Sequence, residues 1–130
     1  MLKMGLRTLT TPNDLDAAIA ASADRPLLLF KHSLTCGTSA FALEQIEEFL
    51  SEPAWPVDAS VVHVPTGRAL SNAIAEHFGI RHETPQALLI RNGQIVWHAS
   101  HYRITRREMT AALERCHASA VSDSTTAGIS

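Results

Sequence analysis

Between residues 86 and 99 two apolar runs, Gln86-Ala87-Leu88-Leu89-Ile90 and Gln94-Ile95-Val96-Trp97-His98-Ala99, lie on either side of Asn92-Gly93. An Asn-Gly pair suits the type I′ turn, whose two central residues both need positive φ, so the segment predicts a tight antiparallel hairpin. Ahead of it, short apolar runs alternate with amphipathic ones. Strands alternating with helices build a sheet covered on both faces, and a terminal hairpin makes that sheet mixed rather than all parallel. The expected fold class is therefore α/β, with a mixed central sheet, helices on both faces, and a C-terminal hairpin followed by a helix.

The remaining elements follow from their punctuation. Gly5 to Leu9 forms a short first strand. Thr11 is an N-cap with Pro12 at the first helical position and Asp14 completing a capping box, and Leu15, Ala18, Ile19 and Ser22 face inward. Pro26-Leu27-Leu28-Leu29-Phe30 reads as a buried strand. Ala42, Leu43, Ile46, Phe49 and Leu50 recur at helical spacing, and that helix stops before Pro53. Pro53-Ala54-Trp55-Pro56 is a loop, Ala59 to Val64 a β-branched core strand closed by Pro65, and Arg68 to Phe78 a helix ended by Gly79. Thr105 and Glu108 form a second capping box, Ile104 packs on Met109, and Met109, Ala112, Leu113 and Cys116 mark the buried face of a last helix. The chain divides into one domain, residues 1–117, and a small polar tail, 118–130, expected to be disordered.

Charge narrows the function. With 11 Lys and Arg against 13 Asp and Glu, no block of either sign and a net charge of −2, nothing resembles a nucleic-acid or membrane footprint. The start, Met1 to Arg7, has no apolar core of a signal peptide, and no run approaches the ~20 apolar residues of a membrane span, so a cytoplasmic location is expected. Seven histidines include the pairs His98 with His101 and His77 with His82, but no third and fourth ligand follows at a metal-binding spacing, so no metal is expected. Two cysteines are too few for a disulfide scaffold or a four-thiolate zinc site. If either matters, it matters by reactivity.

Cys36 is placed for reactivity. It stands in Lys31-His32-Ser33-Leu34-Thr35-Cys36-Gly37-Thr38-Ser39, where a strand gives way to a helix, and the positive end of a helix stabilises a thiolate. Thr35, Thr38 and Ser39 could each donate a hydrogen bond to that thiolate; equally, they could be ordinary helix caps. Lys31 and His32, at the strand end, could favour the thiolate as cations or be solvated polar groups. Cys116 falls on the apolar stripe of the last helix, which favours a packed core residue over a resolving thiol. Pro85 opens a central strand, where it leaves a ladder donor unmade and so needs a reason to be there.

This element order, with a cysteine opening the second helix and a proline opening the hairpin, resembles the thioredoxin fold. That resemblance implies a cis Thr84–Pro85 bond and a Thr84 backbone lying alongside the cysteine, able to pair with an extended thiol substrate. Three segments narrow it: Phe30-Lys31-His32-Ser33 leading to Cys36 and Ser39; Leu70 to Ala75 running on to His82-Glu83-Thr84-Pro85-Gln86; and Val96 to His101 with Ile104-Thr105. They are similar to the bacillithiol-system YtxJ-type proteins, the monothiol bacilliredoxins. The chain departs from that family at Gly37, more often Pro, and at Thr84, more often Ser. Gly37 also makes the Cys36-Gly37-Thr38-Ser39 tetrapeptide similar to the Cys-Gly-Phe-Ser signature of monothiol glutaredoxins.

The resemblance implies a thiol-disulfide oxidoreductase that removes bacillithiol from client mixed disulfides. Cys36, Ser39, Thr38 and Thr35 would be catalytic; Thr84, Pro85, Lys31 and His32 would bind substrate. No cofactor would be held permanently, bacillithiol would be co-substrate, bacillithiolated proteins would be the partners, and the protein would act as a monomer. Arg68 could receive a carboxylate of the small thiol. Two other functions compete: a non-catalytic thioredoxin-like binding module, and an iron–sulfur carrier of the monothiol glutaredoxin kind. Against the carrier, the stretch after Pro85 lacks the Gly-Gly and Asp features with which glutaredoxins seat glutathione.

Overall fold

In a computed structural model the chain is described over residues 6–33, 37–53, 55–64 and 66–129. Gly5, Thr35, Cys36, Ala54 and Pro65, each part of an expectation above, lie outside the described residues. The elements run β1 (Leu6–Thr8), α1 (Pro12–Ala21), β2 (Leu27–His32), α2 (Gly37–Ser51), β3 (Asp58–His63), α3 (Arg68–Phe78), β4 (Gln86–Arg91), β5 (Gln94–Ser100), a 3₁₀ turn (His101–Arg103) and α4 (Arg106–Ile129). The sheet order is β1-β3-β2-β4-β5. β1, β3 and β2 are parallel, and β4 and β5 are antiparallel to their neighbours.

β2 lies at the middle of the sheet, and all six of its residues are buried. A strand covered on both faces has no reason to alternate, hence the unbroken run Leu27 to Phe30. On one face Leu28 and Phe30 join Val61, Ala87 and Leu89 beneath Ala42, Ile46 and Phe49 of α2 and Met109, Ala112 and Leu113 of α4. On the other, Leu27 and Leu29 join Val62, Leu88 and Ile90 beneath Leu15 of α1 and Leu70 and Ile74 of α3. Each such Leu, Ile or Phe contributes roughly 1.5–3 kcal/mol by leaving water.

The caps hold where the chemistry is local. Thr11 Oγ1 accepts from the Asp14 N–H at 3.1 Å, and the Asp14 carboxylate accepts from the Thr11 N–H at 3.2 Å. Gly79 takes the left-handed conformation, φ 66°, that ends α3. Asn92 and Gly93, at φ 54° and 74°, make the hairpin turn, which docks on Ser22: the Gly93 N–H donates to Ser22 Oγ at 2.8 Å and the Asn92 N–H to Ser22 O at 2.9 Å.

Two expectations change. The Thr105–Glu108 box is half formed: the Glu108 N–H donates to Thr105 Oγ1 at 3.1 Å, but the Thr105 N–H is taken by Arg103 O at 3.0 Å. α4 runs from Arg106 to Ile129, across the boundary drawn at residue 118. β5 is also not a uniform partner of β4. Leu89 pairs Trp97 but Ile90 pairs Ile95, so Val96 is an extra residue that bulges outward, 48% exposed.

Candidate active site

The site is built at the end of β2 from which the chain passes into α2. Cys36 and Thr35 lie outside the described residues, and Cys36 is bonded to Gly37, the first residue of α2. Ser39, in the first turn of α2, is fully buried, and its Oγ accepts a hydrogen bond at 3.2 Å from the Ser33 N–H just beyond β2. This bond ties the start of the helix to the end of the strand, and accepting it leaves the Ser39 hydroxyl proton to donate elsewhere. Thr38 is half-buried beside it.

Lys31 and His32, adjacent on a strand, point to opposite faces. Neither is solvated: Lys31 is 0% and His32 3% exposed. Lys31 turns toward α3, where its Nζ lies 3.4 Å from His82 Nδ1. Burial and then the like charge of Arg68 lower the Lys31 pKa to about 8, with Glu83 opposing. An ammonium can only donate, so His82 Nδ1 accepts and the imidazole proton sits on Nε2. Ser71 Oγ meets the same Nδ1 at 3.1 Å, and His82 Nε2 faces Thr84 Oγ1 at 3.4 Å. Burial, then Lys31 and Arg68, lower the His82 pKa, which keeps the ring neutral. Glu83, the nearby carboxylate, accepts from the Ser100 hydroxyl at 2.7 Å.

The Thr84–Pro85 peptide bond is cis. Gln86, the next residue, is the register partner of Lys31, which puts the Thr84–Pro85 step beside the end of β2. Pro85 O accepts from the His101 N–H at 3.1 Å, fastening this step to the end of β5.

His32 turns the other way, toward the α2 face, its ring centre 5.3 Å from that of Phe30 and 5.6 Å from that of His63, which it meets edge to face. Among the described residues neither His32 Nδ1 nor His63 Nδ1 has a hydrogen-bond partner. Burial, and then His63, push the His32 pKa down, so it is a neutral imidazole and not the cation considered from sequence.

The structure thus links Lys31 to Thr84 through His82, ties Ser33 to Ser39, and separates Lys31 from His32. Sequence reasoning missed His82 and Ser71. The available signal was His82-Glu83-Thr84-Pro85, a histidine two residues from the proline step. Arg68 is exposed and donates through Nε to Asn72 Oδ1 at 3.3 Å. Cys116 is 7% exposed, and burial raises its pKa. It lines a cavity of about 180 Å³ with Arg25, Pro26, Trp55 and Arg91, at the end of β2 remote from Lys31. Five residue steps of strand, about 16 Å, separate the two ends of β2. Trp97 packs against the α2-side core. Among the described residues no three His, Cys, Asp or Glu side chains cluster as metal ligands, and no helix is long and apolar enough to cross a membrane.

The sheet order, the helix that opens directly after Cys36 and the proline step beside β2 define a thioredoxin-like α/β protein of thiol redox chemistry. A solved structure named for its thioredoxin fold, with an oxidoreductase role suggested for it, is 30% identical, with a TM-score of 0.76 over 83% of this chain and 93% of that one. A thioredoxin variant from Halobacterium salinarum NRC-1 is 15% identical at a TM-score of 0.69, over 88% of this chain and 93% of its own. Fasciola hepatica thioredoxin is 19% identical at 0.67, over 85% and 98%. These two share the fold. Residues 7–109 match the family model described as Monothiol bacilliredoxin BrxC, and the chain belongs to that family.

Proposed function

We propose that the protein removes bacillithiol, or a similar low-molecular-weight thiol, from mixed disulfides on client proteins through Cys36. The observation that carries this reading is Ser39. The position three residues after Cys36, where a two-thiol enzyme holds its second sulfur, is a buried hydroxyl already engaged by the Ser33 N–H. Cys116, the other cysteine, is buried at the far end of β2.

The Cys36 thiolate attacks the small-thiol sulfur of the mixed disulfide. A new S–S bond forms to Cys36 as the old one breaks, and its electron pair leaves with the client sulfur, which takes up a proton. A second small-molecule thiolate then attacks the sulfur on Cys36. It departs as the symmetrical disulfide and restores the Cys36 thiolate, so the protein is neither oxidised nor reduced overall. The partners on this account are client mixed disulfides and a small thiol, no resident cofactor is needed, and a thiol-rich compartment such as the cytoplasm suits the second step.

The test is to incubate reduced protein with a bacillithiolated client and follow free client and the intact mass of this chain. The wild type releases client and gains one small thiol; Cys36→Ser does neither. Client release by Cys36→Ser at the wild-type rate contradicts the reading. With free bacillithiol then added, an adduct on Cys36 that is never cleared assigns a binding module instead, and a cluster-bearing dimer after anaerobic reconstitution assigns an iron–sulfur carrier.

A further inference from the structure

The exchange leaves one requirement open, the proton taken up by the departing client sulfur. Lys31 is an unusual residue to find at the centre of a sheet. It is 0% exposed, and among the described residues no carboxylate lies within ion-pairing distance of it. Buried charges are ordinarily paired. Its ammonium instead meets a neutral imidazole, His82 Nδ1, which Ser71 also holds, and the opposite ring nitrogen faces the Thr84 hydroxyl. The groups around it are Arg68 and Ser71 from α3, Glu83 and His82 from the segment after α3, Gln86 on β4 and Val62 on β3. One hydrogen-bonded path therefore runs from a desolvated ammonium to the residue preceding the proline step.

We propose that Lys31, His82 and Thr84 form a proton relay that protonates the sulfur leaving the mixed disulfide, an inference that rests on the exchange reaction above. As the S–S bond breaks, its electron pair stays on the client sulfur, which takes the Thr84 hydroxyl proton. Thr84 Oγ1 takes the His82 Nε2 proton, and His82 Nδ1 takes a proton from Lys31 Nζ. Lys31 ends as a neutral amine, the form its burial favours, and is reprotonated from water before the next turnover. Its pKa of about 8 is near that of an ordinary thiol at about 8.5, so the transfer is close to balanced. Thr84 alone meets substrate; His82 and Lys31 position and reload it.

The experiment is single-turnover client release from a bacillithiolated protein between pH 6 and 9.5, with folding of each variant checked by circular dichroism. The wild-type rate, corrected for the thiolate fraction of Cys36, falls as Lys31 loses its proton near pH 8. Thr84→Val and Lys31→Met slow release at pH 7 by about a hundredfold, the low end of what a positioned general acid supplies, and abolish that fall. Thr84→Ser, which returns the hydroxyl, recovers the pH-dependent limb relative to Thr84→Val. If Thr84→Val and Lys31→Met keep the wild-type rate and limb while Cys36→Ser is inactive, the relay is wrong and the exchange mechanism stands. An active Cys36→Ser removes both.

Discussion

The Lys31 ammonium nitrogen stands 3.4 Å from Nδ1 of His82, a neutral ring, rather than beside a carboxylate. A cation held this way is destabilising, because the imidazole returns only part of the hydration lost on burial.

Lys31→Met is therefore expected to raise stability at pH 7 by about 1–2 kcal/mol, since His82 Nδ1 keeps Ser71 as a partner. The pH dependence has a definite sign. The folded pKa is lowered from 10.5 to about 8, so between these values the unfolded chain binds more protons, and wild-type stability climbs with pH across that window. Below about pH 8 the penalty is fully present. Urea unfolding of both proteins at pH 7 and pH 10 should show the advantage of Lys31→Met shrinking at the higher pH.

Ser39 separates structure from chemistry. Ser39→Ala removes the hydrogen bond that the Ser33 N–H donates to Ser39 Oγ and should cost about 1 kcal/mol of unfolding free energy, measured by thermal or urea melts. Ser39→Cys supplies a second thiol where the family chemistry lacks one. It should release client and end two hydrogens lighter, with no small thiol retained, as read by intact mass.

Cys116 should be silent in exchange. Buried, with its pKa raised, it is neither accessible nor ionised at neutral pH. Cys116→Ala is expected to leave client release unchanged while costing about 1 kcal/mol of stability through the lost packing. Iodoacetamide at pH 7 should label Cys36 and spare Cys116 until the protein is unfolded.

Gly67 fixes the start of α3. A Cβ there would stand 2.5 Å from His63 O, which already accepts the Gly67 N–H at 2.6 Å. Backbone must move to admit it, so Gly67→Ala should cost about 1–3 kcal/mol, a loss visible as a lowered Tm.

What the sequence made legible was whatever short-range chemistry dictates. Thr11, Pro12 and Asp14 start α1, Gly79 ends α3 and Asn92-Gly93 turns the hairpin, because each depends only on its immediate neighbours. The Val96 bulge was not legible, since a register shift depends on the partner strand. The burial of Lys31 is not legible for a related reason. The apolar run ends at Phe30 and sets Lys31 and His32 at the strand end, whereas β2 extends through His32 and buries both, on opposite faces. The residue that receives Lys31 comes from the loop after α3, and no local pattern couples the two. Ser39, by contrast, lies three residues from Cys36 in the chain, and the bond from Ser33 shows what holds it at the end of β2.

The most direct test of the account is the intact mass and peptide map of this chain after one turnover with a bacillithiolated client and no added small thiol. The account predicts a gain of one small-thiol unit, on the peptide that contains Cys36, with Cys116 still free. A chain two hydrogens lighter, joined between Cys36 and Cys116, would contradict it, as would released client with an unmodified Cys36.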